Sequence, residues 1–425
     1  MVDFRPLEAF EYSPSAGPLE ALIAPPYDVI DPEMRRRLAA KSPYNIVHLS
    51  LPQPEGGLDR YSAAARTLAR WMNEKVLVRS EPAFYVIQQE FQMGRGLFTR
   101  TGILGEVRLV PWRQGIYPHE ITLPKPKEDR LNLYRATRVV PGPAFSLFAD
   151  KSAELRSILT QVKSAAPYRV CKGPEGSVDT IWKVTGAAVP ARISAAFARE
   201  DFFIADGHHR YETALAFRDE LARMGPLPPA HPANFVLTCA VPFDDEGLVV
   251  LPTHRLLALD SPSAARDAIA ALRADYDIDQ ADRLLLRDYD LVRTSVPSPV
   301  ALYADHAGHL LKIRQVSGDR FSRAAGSVMA AVNTYEVLKM VLPRFYGDVQ
   351  QAVDGERIAY SHDAELAMCL VDSGQFQAAV ILAPLGVRTV AQVASSGNVM
   401  PPKSTYFYPK LPTGVVVKPL DPGPG

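Results

Sequence analysis

Residues 201–212 read Asp-Phe-Phe-Ile-Ala-Asp-Gly-His-His-Arg-Tyr-Glu, an apolar run followed by four polar side chains suited to phosphate chemistry. Residues 202–205 have the make-up of a short buried strand, and Gly207 permits a tight turn. Ala214, Phe217, Leu221 and Met224 then recur at helical spacing. The first amides of a helix have no intrahelical partner, so a strand that enters a helix through glycine presents N–H groups that attract anions. Arg210 can grip a phosphate with two N–H groups, and His208 or His209 can donate or relay a proton. Asp206 would repel a bare phosphate. It therefore either caps the helix or helps hold a divalent cation, Mg²⁺, that bridges the phosphate oxygens. The bland reading, a cap plus histidines satisfying nearby carbonyls, suits a lone Asp or His better than four polar residues in one turn.

Residues 117–130, Tyr-Pro-His-Glu-Ile-Thr-Leu-Pro-Lys-Pro-Lys-Glu-Asp-Arg, read as a charged loop and supply the second set of candidates. Glu120, beside His119, is the natural general base, while Lys127 and Arg130 could neutralise an anionic substrate; the alternative is a solvated charge run. Lys403, Ser404 and Thr405 place one cation and two hydroxyls directly after Pro401 and Pro402. The stiff approach suits an anion clamp that folds back toward Arg210, and the alternative is a polar strand edge. The glycines of a P-loop are missing. Tyr27 and Asp28 follow Pro25-Pro26 and are either substrate ligands or turn residues. Thr253-His254-Arg255 reads as structural. Gly-x-Ser-x-Gly, GxGxxG, His-x-x-x-His and Cys-His arrangements are not found at useful positions, which leaves peptidase, hydrolase-elbow and nicotinamide readings without support.

The elements that must position these groups alternate between strand and helix. Asp31 caps and Pro32 opens a helix, and residues 58–74 carry Tyr61, Ala65, Leu68 and Met72 on one face. Residues 83–91 and 99–109 read as a hairpin turning at Met93-Gly94-Arg95-Gly96, and Pro25-Pro26 hold Tyr27 and Asp28 in an extended turn. Residues 147–197 supply a helix and some strands. After the 206 turn, 225–232 is a stiff Pro-rich connection, 234–242 and 247–251 are strands, and 261–273 is an amphipathic helix. Residues 299–313 read as paired strands around Ala307-Gly308, and 378–382 as a buried strand. The fold class is α/β with α+β character. Length suggests two or three domains: an N-terminal α/β region over 1–115, a phosphate-binding region over 116–232 and a C-terminal α/β region over 233–425 that returns to the site.

Forty-seven basic and forty-seven acidic residues cancel, so the chain has no electrostatic footprint for nucleic acid or an anionic membrane. Small molecules are the expected partners, and oligomeric state is left open. Cys171, Cys239 and Cys369 form no CxxC pair and suggest neither zinc nor a disulfide framework. No leader-like N-terminus or spanning apolar stretch is evident, and the expectation is a soluble cytoplasmic protein.

Five strings, 24–30, 119–122, 204–214, 251–255 and 400–410, resemble the DUF1015 family in order and spacing. The Asp206-Gly207-His208-His209-Arg210 string is similar to the phosphate-binding box of the ParB/sulfiredoxin-like fold, which free L-serine kinases share. The resemblance implies a ParB/sulfiredoxin-like core with added N-terminal and C-terminal α/β regions. It further implies transfer of a phosphoryl group from pyrophosphate, or from a nucleotide, to the hydroxyl of free L-serine with Mg²⁺. Asp206, Gly207, His208, His209 and Arg210 would hold the donor, Glu120 would take the hydroxyl proton, and Lys403, Ser404 and Thr405 would close the anion pocket. Tyr27, Asp28, His119, Lys127 and Arg130 are the candidate substrate ligands. A nucleotide-binding regulatory module and a metal-dependent phosphohydrolase are the alternative readings.

Overall fold

The computed structural model describes residues 2–120, 124–287 and 300–423, and backbone alone for 124–126. The chain divides into two compact units. Unit 1 comprises Met1–Pro118, Thr122–Leu248 and Pro409–Gly425; unit 2 comprises His119–Ile121 and Val249–Tyr408. The boundaries read from the sequence at 115 and 232 both fall inside unit 1, where one sheet runs across them.

Among the described residues the large sheet of unit 1 has nine strands. Their order is Ile116–Tyr117, Phe202–Asp206, Ala144–Phe148, Phe235–Pro242, Gly96–Arg108, Phe84–Met93, Val178–Val184 and Arg169–Lys172, with Phe4–Arg5 also paired to Gly96–Arg108. Two pairings are parallel, Phe202–Asp206 on Ile116–Tyr117 and Phe235–Pro242 on Ala144–Phe148, and the rest are antiparallel. The hairpin turns at Gly94-Arg95, with Met93 opposite Gly96, as its glycines predict. An aromatic cluster anchors the strand that leads to the 206 turn: Phe197 lies 4.7 Å from Phe4, 4.8 Å from Phe148 and 5.4 Å from Phe202 between ring centroids. The helices Arg60–Asn73, Pro124–Thr137 and His208–Met224 pack in succession, and Tyr134 meets Phe217 edge to face across the last two.

Unit 2 is built on six antiparallel strands among the described residues, in the order Tyr276–Ala281, Ala307–Ile313, Val300–Ala304, Ala378–Leu382, His254–Leu257 and Ile358–Ser361. Ala378, Val380 and Leu382 pack with Ala265, Ile269 and Leu272 of the helix Pro262–Leu272. Ala379 and Ile381 pack with Ala364, Ala367 and Met368 of the helix Ala364–Asp372. The two-residue period of a strand thus feeds two cores, which explains why 378–382 reads as continuously apolar.

Four local expectations need correction. Residues 117–130 are not one loop: Tyr117 ends the strand Ile116–Tyr117 and Pro124–Thr137 is a helix, with Ile121 and Thr122 of the quoted string outside the described residues. Proline is tolerated in a helix's first turn because the N–H it lacks has no intrahelical partner there, so Pro124 and Pro126 begin this helix rather than prevent it. Tyr27–Val29 is one turn of 3₁₀-helix, not an extended turn. Residues 147–197 hold two helices, Glu154–Lys163 and Ala188–Phe197. The 300–313 hairpin turns at Asp305-His306, both at positive φ, and Ala307 and Gly308 already belong to the second strand. No described helix is long and apolar enough to cross a membrane.

Candidate functional site

The strand Phe202–Asp206 runs into the helix His208–Met224 through Gly207, as the residue types require. Its register against Ala144–Phe148 shifts between Ile204, opposite Ser146, and Asp206, opposite Phe145. Such a bulge bends the strand end and re-aims the side chain beyond it. Gly207 sits at φ 86°, ψ 29°, and a Cβ there would lie 2.9 Å from Arg210 Nε and 3.2 Å from Ala144 Cα. The position therefore needs glycine for its backbone conformation and for the close approach of Arg210. The helix has no side-chain N-cap, so Asp206 is not the cap that its position suggests.

Asp206 instead binds cations. Lys410 Nζ donates to its Oδ2 at 3.0 Å, and Arg210 Nη2 lies 3.6 Å from its Oδ1. Lys410 and Arg210 are both buried, as is His208, while His209 is half-buried. Burial by itself would raise the Asp206 carboxyl, yet Lys410, Arg210 and His208 outweigh it and hold the group well below the usual carboxylate range. Burial would lower Arg210, but Asp206 and Asp28 outweigh that and raise it. With Lys410 on one oxygen and Arg210 facing the other, this carboxylate does not fit a protein-held Mg²⁺ ion. The described residues contain no cluster of three His, Cys, Asp or Glu side chains that could hold a metal.

Lys410 joins this turn although no local sequence signal marks it. It lies in the quoted 400–410 string, seven positions after Lys403, and its arrival at Asp206 depends on pairings 204 residues apart. Two side chains fix its backbone: Glu175 Oε2 accepts from Lys410 N at 2.6 Å, and Arg100 donates to the Pro409 carbonyl at 2.5 Å. Arg100 is itself buried, donates to Gln89 Oε1 at 2.5 Å and lies 5.1 Å over the Phe145 ring. Gln89 in turn reaches Asp179 at 3.3 Å.

Tyr27, Arg130 and Arg210 line one small cavity in unit 1, with the Arg130 guanidinium 4.3 Å over the Tyr27 ring. Asp28 is exposed and close enough to act electrostatically on Tyr27 and Arg210. Lys127 pairs with Glu212 Oε2 at 2.9 Å, and Trp112 donates to the other oxygen at 3.1 Å, so Lys127 ties two helices together.

The remaining candidates belong to unit 2. Glu120 bridges to Met400 in a short parallel pairing, and Met400 N donates to the His119 carbonyl at 2.7 Å. Lys403 N donates to Glu120 Oε1 at 3.3 Å, and Thr405 Oγ1 lies 3.1 Å from His119 Nε2. Arg255, buried and pushed down to about 10 by its burial, donates to the Lys403 carbonyl at 3.1 Å. The Ser404 hydroxyl meets the Pro401 carbonyl at 2.6 Å and Thr334 at 2.7 Å, so it holds the turn rather than facing a ligand. Lys403 is exposed and sits at φ 61°. His254 Nδ1 accepts from Leu382 N at 3.1 Å, the structural use expected of that string. The 400–410 string therefore serves two places: residues 403–405 join His119 and Glu120 in unit 2, and Lys410 joins Asp206 in unit 1.

A family model described as "Protein of unknown function (DUF1015)" matches residues 4–359. The chain belongs to the DUF1015 family. The matched span of this DUF1015 chain includes Glu120 and the 206–210 turn and ends before Lys403 and Lys410. No curated protein matches the chain. Among solved structures, a conserved hypothetical protein from Pyrococcus furiosus is 14% identical, with a TM-score of 0.36 over 74% of this chain and 94% of that one. A free serine kinase variant in complex with ADP is 12% identical, with a TM-score of 0.38 over 73% and 91%. SbnI with a C-terminal truncation, from Staphylococcus aureus, is 11% identical, with a TM-score of 0.37 over 74% and 87%.

Proposed function

We propose that the protein is a phosphotransferase that moves a phosphoryl group from pyrophosphate, or from a nucleotide, to the hydroxyl of free L-serine. The observation that carries the reading is Asp206 held between Lys410 and Arg210 at the start of an uncapped helix. Asp206 draws Lys410 and Arg210 to one place, with Asp28 acting on Arg210 electrostatically, and the helix N-terminus adds a partial positive charge beside them. Such a place suits a phosphoryl donor and suits its transition state better still, because charge spreads over the phosphoryl oxygens as the bond to the leaving group lengthens.

The donor's terminal phosphate would take N–H groups from Lys410, Arg210, His208, His209 and the first helix turn, with Asp206 keeping the two cations in position. The serine hydroxyl oxygen would attack phosphorus, the P–O bond to the leaving orthophosphate (or shortened nucleotide) would break, and the hydroxyl proton would pass to a general base, for which Glu120 is the candidate. That last role rests on the resemblance of the 119–122 string; within unit 2 the Lys403 amide orients the carboxylate. The decisive assay incubates the protein with L-serine and, in parallel, pyrophosphate, ATP or ADP, with and without Mg²⁺, and analyses products by mass spectrometry. Phosphoserine that disappears in Lys410→Ala supports the reading. Orthophosphate without phosphoserine points to a hydrolase.

A further inference from the structure

We propose that the small cavity beside Arg210 receives the carboxylate of the acceptor. The cavity holds about 20 Å³ and is lined by Tyr27, Ser50, Arg130, Tyr134, Arg210 and Thr413 among others. That exceeds the 10–15 Å³ or so needed for one water and falls well short of a pyrophosphate or nucleotide. A carboxylate group is of the right size.

The lining is built for an anion. The Arg130 guanidinium is fixed on three sides: Nε and Nη2 donate to Asp129 Oδ2 at 3.0 and 2.5 Å, Nη1 donates to the Ser50 carbonyl at 2.5 Å, and its plane stacks on Tyr27. Those bonds use three of the five N–H groups that a guanidinium carries. Arg210 approaches from the other helix, held by the Pro143 carbonyl and Asp206. Tyr134 is buried and pushed up to about 12, and Tyr27 is raised further, so both phenols stay protonated and available as donors. Ser50 is the second, independent sign. Its hydroxyl is buried and has no hydrogen-bond partner, and a donor left unsatisfied in a cavity wall is costly unless a ligand completes it. Two guanidiniums, two phenols and an unsatisfied hydroxyl around a carboxylate-sized space together select a small anion over a neutral alcohol.

The inference rests on the phosphotransfer reading only for the acceptor's identity, and binding tests it without turnover. L-serine, L-serinamide and pyrophosphate are titrated separately by calorimetry into wild type and Ser50→Val, whose extra methyls fill the cavity. L-serine should bind, with serinamide and the Ser50→Val pairing each weaker by about 10-fold or more, the worth of charge-assisted contacts. Pyrophosphate affinity should not change. Equal binding of serine and serinamide, or Ser50→Val with wild-type serine affinity, overturns the inference. Carboxylate-dependent serine binding without phosphoserine from any donor supports the cavity and sinks the phosphotransfer reading. The reverse result, phosphoserine formed with serinamide an equally good acceptor, sinks the cavity alone.

Discussion

The Asp206 turn of unit 1 and the Glu120 cluster of unit 2 draw on the same ingredients, a carboxylate, a lysine, an arginine and a histidine, and use them in opposite ways. At Asp206 the carboxylate faces side-chain cations, Lys410 at 3.0 Å and Arg210 at 3.6 Å, which keep it ionised against the effect of burial. At Glu120 the carboxylate accepts a backbone amide at 3.3 Å and acts electrostatically on the buried Arg255, whose hydrogen bonds go to carbonyls, while the lysine is exposed. A carboxylate locked between cations cannot take a proton at neutral pH and serves to organise charge. On the proposed mechanism Glu120 is the carboxylate that takes a proton. On that mechanism the two carboxylates would divide charge neutralisation and proton removal between them, and substitutions at each should have different effects.

Variants can break or sharpen that contrast. Glu120→Gln should cut turnover by about 10²–10⁴, the usual worth of general base catalysis, with little change in melting temperature or pyrophosphate binding. Normal turnover would remove Glu120 from the mechanism. Asp206→Asn acts the other way: it leaves two buried cations without their counterion, so stability should fall by about 3–5 kcal/mol in urea titrations. A near-wild-type unfolding midpoint would show that the ion triad is not structural. The pH dependence carries the same signature with a fixed sign. Because the Asp206 carboxyl is depressed in the folded state, its contribution is fully present above the unfolded value of about 3.9 and is lost as pH falls further. Asp206→Asn should flatten that acid loss. Arg100→Gln, which removes the donor to the Pro409 carbonyl, should weaken pyrophosphate binding more mildly, through the placement of Lys410, and unchanged affinity would rule out that route.

The 206 junction was legible because its signals are local: an apolar run, a glycine and a helical recurrence within 24 residues. The double-cored strand Ala378–Leu382 was legible for the same reason. Lys410 was not, because nothing near it in sequence distinguishes it from Lys403. Its role is set by Arg100 and Glu175, more than two hundred positions away. The Pro124–Thr137 helix was obscured by prolines that signal a break inside a helix but not in its first turn. The partition into units could not be read locally either, since residues 119–121 join unit 2 while the chain on both sides belongs to unit 1.

On the proposed function Lys410, held on Asp206, is the cation of the donor site. Titration of pyrophosphate into wild type, Lys410→Gln and Lys403→Gln by isothermal calorimetry, with melting temperatures recorded alongside, tests it most directly. A buried, charge-assisted contact predicts a loss of about 10- to 100-fold for Lys410→Gln. An exposed ammonium predicts less than about fivefold for Lys403→Gln. A folded Lys410→Gln protein with wild-type pyrophosphate affinity, or a larger loss in Lys403→Gln, would contradict the claim.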